Sequence, residues 1–226
     1  MPTRDSDCLK ILTILYVSTL LIFNILAVKL WHLGPFIFTA GILLVPLTYI
    51  FGDVLTEVYG YGKTRRIIWI GFACNALMIA CIELAILLPP APNWHMQNEF
   101  AALLGTTPRI ALGSLAAYWA GEFVNSYVIA RMKVASNGRW IWTRMVVSTL
   151  AGQMVDSAIF ITIAFLGSVP SAQLMVMIAS VVAFKVLYEI LLTPVTYKII
   201  AYVKRLEQCD VYDHGINFTP FRWQEK

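Results

Sequence analysis

The stretch YIFGDVLTEVYGYGKTRR, residues 49–66, decides how the chain is interpreted, because it puts two acids into an apolar background. Asp53 and Glu57 lie one helical turn apart, on the same face of a helix. Three bases follow at once, namely Lys63, Arg65 and Arg66. A charged side chain inside a bilayer costs several kcal/mol, about 2.5–3.5 by insertion scales. The rest of the chain must therefore explain why these acids are there.

The composition places the chain among integral membrane proteins. Of its 226 residues, 59% are hydrophobic and only 13% are charged, whereas about a quarter are charged in a soluble domain. The apolar runs are about twenty residues long, and no short alternating strands of the barrel type occur. We therefore expect an all-α integral membrane protein with six transmembrane helices in one bundle.

The six predicted spans are separated by prolines, glycines and polar residues, which end helices. They cover residues 10–31, 36–59, 67–89, 109–132, 141–167 and 172–202. We predict a transmembrane domain over 1–205 and a short cytoplasmic tail over 206–226. In the connection 89–109, apolar residues predict a short helix lying at the membrane surface.

The basic residues are distributed asymmetrically over the predicted loops. Fourteen of the seventeen fall on the side of the two termini: Arg4, Lys10, Lys63, Arg65, Arg66, Arg131, Lys133, Arg139, Arg144, Lys198, Lys204, Arg205, Arg222 and Lys226. Only Lys29 and Arg109 fall on the other side, and Lys185 lies within a span. Because bases accumulate in cytoplasmic loops, we expect both termini in the cytoplasm. The net charge of +4 then needs no nucleic-acid partner.

Six of the thirteen acids fall within the predicted spans: Asp53, Glu57, Glu83, Glu122, Asp156 and Glu189. Ionisable residues at such positions are candidates for a functional role. At 1.5 Å per residue, Asp53 lies about 15 Å inside the basic boundary at Lys63, too deep to be an interfacial residue. Glu57 lies closer to that boundary, and an ion pair with Lys63 or Arg66 is an equally good interpretation.

Spans 4 and 5 each carry a polar face. Span 4 places Glu122 and Asn125 on one face, although its small residues also suit a packing helix. Span 5 repeats Ser148, Gly152 and Asp156 at four-residue spacing with Gln153 alongside. These groups could bind a solute, or they could join helices as interhelical hydrogen bonds.

On span 6, Lys185 and Glu189 are four residues apart, so they could neutralise each other as an ion pair on one helix. Asn24, midway along span 1, could serve as an interhelical hydrogen-bond donor. The polar groups of spans 1, 4, 5 and 6 nevertheless fall at a similar depth, with Asp53 slightly nearer the basic side. A polar cluster at the bilayer midplane is where transporters bind their solutes, so we expect a transporter.

The sequence contains no motif typical of an enzyme. The three histidines lie in loops or the tail, and no zinc-protease, nucleophile-elbow or phosphate-loop motif occurs. The four cysteines show no metal-ligand spacing. We expect no catalytic activity, no cofactor and no metal.

Several stretches together resemble the queuosine precursor transporter family, a group of six-span inner-membrane proteins. The first is FGDVLTEVYGYGKTRR, within residues 49–66. The others are LLGTTPRIALGSLAAYWAGEFVNSYVIARMK (103–133), GRWIWTRMVVSTLAGQMVDSAIFITIAFLG (138–167), KVLYEILLTPVTYKI (185–199) and YDHGINFTPF (212–221). The tail departs slightly from the family pattern, which is closer to Phe-Asn-Pro-Phe.

The resemblance implies import of 7-cyano-7-deazaguanine (preQ0), and of its 7-aminomethyl relative, across the bacterial inner membrane for queuosine modification of tRNA. The expected partners are this small-molecule substrate and the lipid bilayer, with no nucleic acid bound. A second copy of the chain is a further candidate partner, giving a homodimer.

We assign candidate roles by matching the polar side chains to a guanine-like ring. A carboxylate, from Glu122 or Asp156, would accept the ring N–H and the exocyclic amine. The ring carbonyl needs a donor, and the flat ring invites stacking on Trp119 or Tyr118. The predicted substrate-binding set is Glu122, Asn125, Gln153, Asp156, Lys185, Trp119 and Asn24, and the predicted gate or proton-coupling set is Asp53, Glu57 and Glu189.

Two alternatives remain at this stage. The chain could be the substrate-binding membrane subunit of an ATP-driven vitamin-type importer, an architecture that six short spans also suit. Less favoured is an enzyme acting inside the membrane on a lipid-soluble substrate.

Overall fold

A computed structural model describes residues 6–33, 36–105, 108–167 and 170–221, and these form a helical bundle with one short hairpin. The elements in chain order are α1 (Asp7–Leu26), β1 (Leu30–Leu33), β2 (Phe36–Thr39), a 3-10 helix (Ala40–Leu44), α2 (Val45–Tyr59), α3 (Tyr61–Leu87), α4 (Gln97–Leu104), α5 (Pro108–Ala135), α6 (Ile141–Phe165) and α7 (Ser171–Glu207).

Six segments of the described chain are long and apolar enough to cross a membrane. They are Asp7–Leu26, Ala40–Tyr59, Tyr61–Leu87, Gln97–Ala135, Ile141–Phe165 and Ser171–Glu207. The prediction of an all-α membrane protein with six transmembrane helices is confirmed. The short helix predicted in the connection 89–109 is present as α4.

A short antiparallel hairpin lies where the first two predicted spans approach each other. The backbone of β1 pairs with β2, Leu30 opposite Thr39 and Leu33 opposite Phe36. The predicted helices over 10–31 and 36–59 overlap these strands, so the prediction is wrong at the end of the first helix and at the start of the second. The strand sequences are rich in aromatic and β-branched residues, which favour extended backbone. The first helix therefore ends earlier, and the second begins with the 3-10 turn.

The alternating helices give the bundle two different ends. One end contains the start of α1, the α2–α3 and α5–α6 connections, and the end of α7. We call it the basic end, because the clustered bases of the sequence lie there. The opposite end contains the hairpin and α4, and we call it the α4 end.

Two glycines allow α5 and α6 to approach closely, and these two helices form the most extensive helix pair of the fold. A Cβ at Gly121 would lie 2.8 Å from Cβ of Asp156, and one at Gly152 would lie 2.9 Å from Cβ of Asn125. Small residues at such crossings are typical of membrane helix pairs. The contact fixes Asn125 and Asp156 relative to each other.

The segment 208–221 folds back over the basic end after α7. Gly60, with φ of +83°, makes the sharp turn between α2 and α3. The Asp213 carboxylate accepts the backbone N–H of Tyr61 at 3.0 Å and so caps the start of α3. The guanidinium of Arg65 donates to the carbonyls of Asn217 and Thr219, each at 2.9 Å. The tail is therefore bound to the helices.

Candidate functional site

A cavity of about 370 Å³ lies inside the bundle, and we call it the central cavity. Its size falls within the range of about 300–1,000 Å³ that is usual for small-molecule sites. Most of its wall is apolar or aromatic, with Phe23 and Phe160 among the lining residues. Its polar lining residues are Asn24, Asn75, Ser114, Tyr118, Asp156, Ser157 and Lys185.

An ion pair between α6 and α7 forms the most polar part of the central cavity. Lys185 Nζ lies 2.9 Å from Asp156 Oδ2. Their side chains are 26% and 25% exposed, respectively, so both groups remain accessible. A carboxylate and an ammonium side by side offer an acceptor and a donor to a planar, guanine-like edge.

Two asparagines face each other across α1 and α3 at the same cavity. The Asn24 side-chain amide donates to Asn75 Oδ1 at 2.6 Å and to the Leu20 carbonyl at 3.0 Å. Asn75 in turn donates to the Gly71 carbonyl at 2.9 Å. The pair holds the two helices together and also supplies amide groups to the cavity wall.

A second cavity, of about 410 Å³, continues towards the α4 end. It shares Phe23, Asn24, Ile79, Ser114 and Phe160 with the central cavity. Residues close to the α4 end, Leu104 and Ile110, complete its wall. The shared residues connect the central cavity with the α4 end of the bundle.

On the other side, a small polar cavity lies between α2, α5 and α6. It is lined by Thr48, Tyr49, Gly52, Gly121, Glu122, Asn125, Thr149 and Gln153. Its volume of about 10 Å³ suffices for one water molecule. Within the described chain, Asn125 Oδ1, Gln153 Oε1 and the Tyr49 hydroxyl are buried without a hydrogen-bond partner.

Next to this small cavity, two acids face each other across α2 and α7. Asp53 and Glu189 are 1% and 0% exposed, and their carboxyl groups lie near each other. The side-chain amide of Asn125 lies 3.5 Å from Asp53 Oδ1. Among the described residues, the three remaining carboxyl oxygens receive no hydrogen bond from a donor.

Glu57 forms the centre of an ionic network at the basic end. Arg144 on α6 donates two hydrogen bonds to its carboxylate, at 2.8 and 2.6 Å. Lys204 on α7 donates to it at 2.8 Å, and Lys133 Nζ on α5 lies 3.7 Å away. Asp210 of the tail contacts both lysines, at 2.5 and 2.8 Å. The network joins α2, α5, α6, α7 and the tail.

The network also holds Asp210 in its charged form. Burial alone would raise the pKa of its carboxyl group, but hydrogen bonds from Lys133 and Lys204, and the charges of both lysines, outweigh that effect. The pKa of Asp210 is therefore lowered from its ordinary value of 3.8. The tail carboxylate stays ionised at neutral pH and binds the two lysines.

The structure distributes the predicted substrate-binding residues over three places. Asn24, Asp156 and Lys185 line the central cavity. Glu122, Asn125 and Gln153 line the small polar cavity. Trp119 lies in an aromatic cluster with Trp69, Phe123 and Phe221, with ring centroids 5.2 to 5.8 Å from its own.

Two pairings differ from the simplest interpretation of residue spacing. Glu57 is bound by bases of three other helices, with its closest contacts to Arg144 and Lys204. Lys185 pairs with Asp156 across helices, and Glu189 faces Asp53. In both cases tertiary packing brings closer partners than the neighbours in sequence.

Sequence reasoning missed two residues that the structure places at these sites. Arg144 counts among the bases of the predicted loops, yet it extends the four-residue row of Ser148, Gly152 and Asp156 by one step. That periodicity could have identified it. Asn75 is a lone amide in the apolar third span. A polar side chain at such a position is itself a sign of a functional or helix-joining role.

A family described as "Putative vitamin uptake transporter" matches residues 39–199. A curated relative from Bacillus subtilis (strain 168), named "Probable queuosine precursor transporter", is 30% identical over 149 residues. That alignment covers 66% of this chain and 65% of the relative, so the chain spans just under two thirds of the relative's length. No solved structure matches the chain at a significant level.

These matches confirm the resemblance that the sequence motifs indicated. The family match includes α2, which carries Asp53 and Glu57, and extends through α5 and α6 into α7. Because that match covers well over half of the chain, this multi-pass membrane protein belongs to the family described as "Putative vitamin uptake transporter".

Proposed function

We propose that the protein imports queuosine precursors, 7-cyano-7-deazaguanine and its 7-aminomethyl relative, across the bacterial inner membrane. The observation that carries this proposal is the central cavity with the Asp156–Lys185 pair in its wall. The name of the Bacillus subtilis relative supports the same substrate class.

The ion pair has the groups that a deazaguanine ring requires. The ring N–H and the exocyclic amine donate, and Asp156 can accept both; the ring carbonyl accepts, and Lys185 can donate. The aromatic wall, including Tyr118 and Phe160, offers a face for the flat ring. Asn24 can bind a further polar edge. Asp156 is therefore the preferred carboxylate for binding the guanine-like edge. Glu122 is proposed to contact the solute later, when it passes the small polar cavity.

The small polar cavity lies on the route from the central cavity towards the basic end. Glu122, Asn125 and Gln153 line it, and its present volume admits no purine-sized solute. We propose that α2, α5 and α6 separate there during transport and that these three side chains then contact the solute. Trp119 remains a candidate for stacking only if that separation exposes its ring.

Glu57 and its bases are proposed as the gate at the basic end. The carboxylate is completely buried, and Arg144 and Lys133 are 0% and 1% exposed. The network therefore closes the bundle on this side, whereas connected cavities lie towards the α4 end. Solute release requires the contacts between α2, α6 and α7 to open.

The basic end is proposed to face the cytoplasm, because clustered bases favour that side. Alkaline phosphatase fused after residue 226 should be inactive, since the enzyme folds in the oxidising periplasm. Fusion within the connection 88–96 should give active enzyme. The opposite pattern would reverse the direction of transport that we propose.

Uptake is tested in a bacterial strain that lacks both queuosine synthesis and its own precursor importer. Expression of the chain with external 7-cyano-7-deazaguanine should restore queuosine in tRNA, measured by mass spectrometry. Asp156→Asn should lower the initial uptake rate roughly 10- to 100-fold, because a hydrogen bond to a charged group contributes about 1.5–3 kcal/mol.

Asp7→Asn is the matched control and should leave uptake unchanged, since Asp7 is exposed and pairs with Lys10 at the surface. Asp156→Glu keeps the charge and should restore part of the activity if the carboxylate binds the solute. Normal rescue by Asp156→Asn at equal protein levels would contradict the assignment.

The same strain separates this proposal from an ATP-driven importer. Rescue by the chain alone, in cells without any ATPase module for vitamin uptake, supports an autonomous transporter. Rescue that requires such a module would assign the chain as its membrane subunit.

A further inference from the structure

The Asp53–Glu189 pair is acceptor-rich and lacks positive charge. Both side chains are fully buried, and two carboxylates this near each other repel. In the described chain, neither acid forms an ion pair with a base: Lys185 pairs with Asp156, and Lys204 pairs with Glu57 and Asp210. A buried polar atom without a partner is destabilising, so three orphaned oxygens indicate a site for a donor.

The groups surrounding the pair do not supply that donor. Tyr49 on α2 lies near both acids, but its hydroxyl has no hydrogen-bond partner among the described residues. Glu122 on α5 adds a third carboxyl group nearby, and Asp156 on α6 lies near Tyr49. The Asn125 amide reaches Asp53 at 3.5 Å, which is at the limit of a hydrogen bond.

We propose that Asp53 and Glu189 together bind one exchangeable proton and that this proton crosses the membrane with the solute. A proton between the two carboxyl groups changes the charge of the pair from −2 to −1. It also gives one carboxyl a donor for the other. The inference rests on the proposed transport function and adds its energy source.

The closeness of the two carboxyl groups favours a proton over a metal cation. A sodium ion needs several oxygen ligands around it, whereas a proton needs only the two facing oxygens. The neighbouring small cavity has about 10 Å³ of free space.

Helix α7 lacks one backbone hydrogen bond close to the pair. Pro194 sits inside the helix and cannot donate a backbone hydrogen bond to the carbonyl of Ile190. The Thr193 hydroxyl donates to the Glu189 carbonyl at 2.8 Å. A helix can bend where such a bond is missing, and bending here would separate Glu189 from Asp53. The pair then holds its proton when closed and releases it when the two helices part.

The proposal is tested with the full-length protein in liposomes that contain 7-cyano-7-deazaguanine. The first measurement is exchange of labelled for unlabelled solute without any ion gradient, which tests the proposed function alone. The second is net accumulation driven by an imposed gradient of one pH unit, alkaline inside. That gradient is worth about 1.4 kcal/mol, so one proton per solute supports about tenfold accumulation.

Glu189→Gln should retain exchange and lose the tenfold accumulation. Its amide donates to Asp53 permanently, so loading and unloading continue without proton release. Asp53→Asn should behave in the same way and serves as the second variant. Glu99→Gln is the matched control, because Glu99 is exposed on α4, and it should accumulate solute like the wild type.

Three results would overturn the proton pair. The first is accumulation that follows a sodium gradient and not a pH gradient. The second is tenfold accumulation retained by Glu189→Gln. The third is a defect confined to the 7-aminomethyl substrate, which would show that the pair binds the cationic group of the solute.

If the wild type exchanges no solute, the proposed function fails, and infrared spectroscopy still tests the pair. Purified wild type should show a protonated-carboxyl band that Glu189→Gln and Asp53→Asn lack. An unchanged band in both variants would contradict the shared proton.

Discussion

Fully buried acids occur both at the basic end and in the middle of the bundle, but within the described chain only Glu57, at the basic end, forms ion pairs. The Glu57 carboxylate accepts hydrogen bonds from two bases, and a third, Lys133, donates to the Glu57 backbone carbonyl. Asp53 and Glu189 face each other and form no ion pair within the described chain. A neutralised network stabilises one arrangement of the helices, whereas a group lacking partners is suited to bind something that comes and goes.

The same contrast appears in packing. The basic end is covered by the tail, which is joined to α3 by Asp213 and Arg65. The middle contains the central cavity, and a second cavity continues towards the α4 end. We interpret the basic end as the closed gate and the middle as the binding region. Substitutions at the two places should therefore affect different properties.

The largest effect on stability is expected from Arg144→Met. It leaves Glu57 buried with one of its two strong partners, and breaking a buried ion pair costs about 3–5 kcal/mol. The melting temperature in detergent should fall sharply, while solute affinity of the folded fraction should change little. Arg139→Met, at an exposed neighbouring base, is the control. An unchanged melting temperature in Arg144→Met would remove the distinction between the two regions.

A smaller effect is expected from Gly152→Val at the α5–α6 crossing. Its added carbons would meet Cβ of Asn125 and the Gly121 carbonyl, and overpacking costs about 1–3 kcal/mol. Because the crossing positions Asp156, solute affinity should fall together with stability. Leu150→Val, on an exposed part of the same helix, is the control. A loss of stability with full affinity would show that the crossing does not position the cavity.

Asp213→Ala tests the attachment of the tail. It removes the cap from the first turn of α3, which costs about 0.5–2 kcal/mol. Thermal unfolding should be shifted by a similar free energy, and the tail should become more sensitive to limited proteolysis. Asp213→Asn retains an acceptor and should lose less. Equal protease sensitivity of Asp213→Ala and the wild type would mean that other contacts alone hold the tail.

The smallest effect concerns Asp210 and pH. Since the pKa of Asp210 is lowered in the folded protein, its contribution to stability is present above the ordinary value near 3.8 and is lost as the pH falls below it. The side chain is 41% exposed, so solvent weakens the effect. Melting temperatures of Asp210→Asn and the wild type should differ at neutral pH and converge below about pH 4. A constant difference would contradict the linkage.

Much of the fold followed from the sequence, because length and apolarity alone define a membrane span. Residue counts also predict a depth in the bilayer for Asp53, Asn24 and Asp156, but they do not predict the partners of these side chains. Spacing along one helix suggested Lys185 with Glu189, but helix rotation and packing bring Asp156 closer to Lys185.

The hairpin and the attachment of the tail to the helices could not be predicted from the sequence, for related physical reasons. Both are stabilised by backbone pairing or by contacts distant in sequence, such as Tyr61 with Asp213. Periodicity reports which face of a helix is apolar, but not what covers it. The sequence shows that Arg144 shares the four-residue spacing of Ser148, Gly152 and Asp156. Its role as a partner of Glu57 depends on the position of α6 relative to α2, which the spacing does not report.

The account depends most directly on whether the central cavity binds the solute through Asp156. Isothermal titration calorimetry of purified protein with 7-cyano-7-deazaguanine measures this without transport. We predict saturable binding by the wild type and Asp7→Asn, and an affinity roughly 10- to 100-fold lower in Asp156→Asn, from the loss of a charge-assisted hydrogen bond. Equal affinity of Asp156→Asn and the wild type, with both proteins folded, would contradict the account.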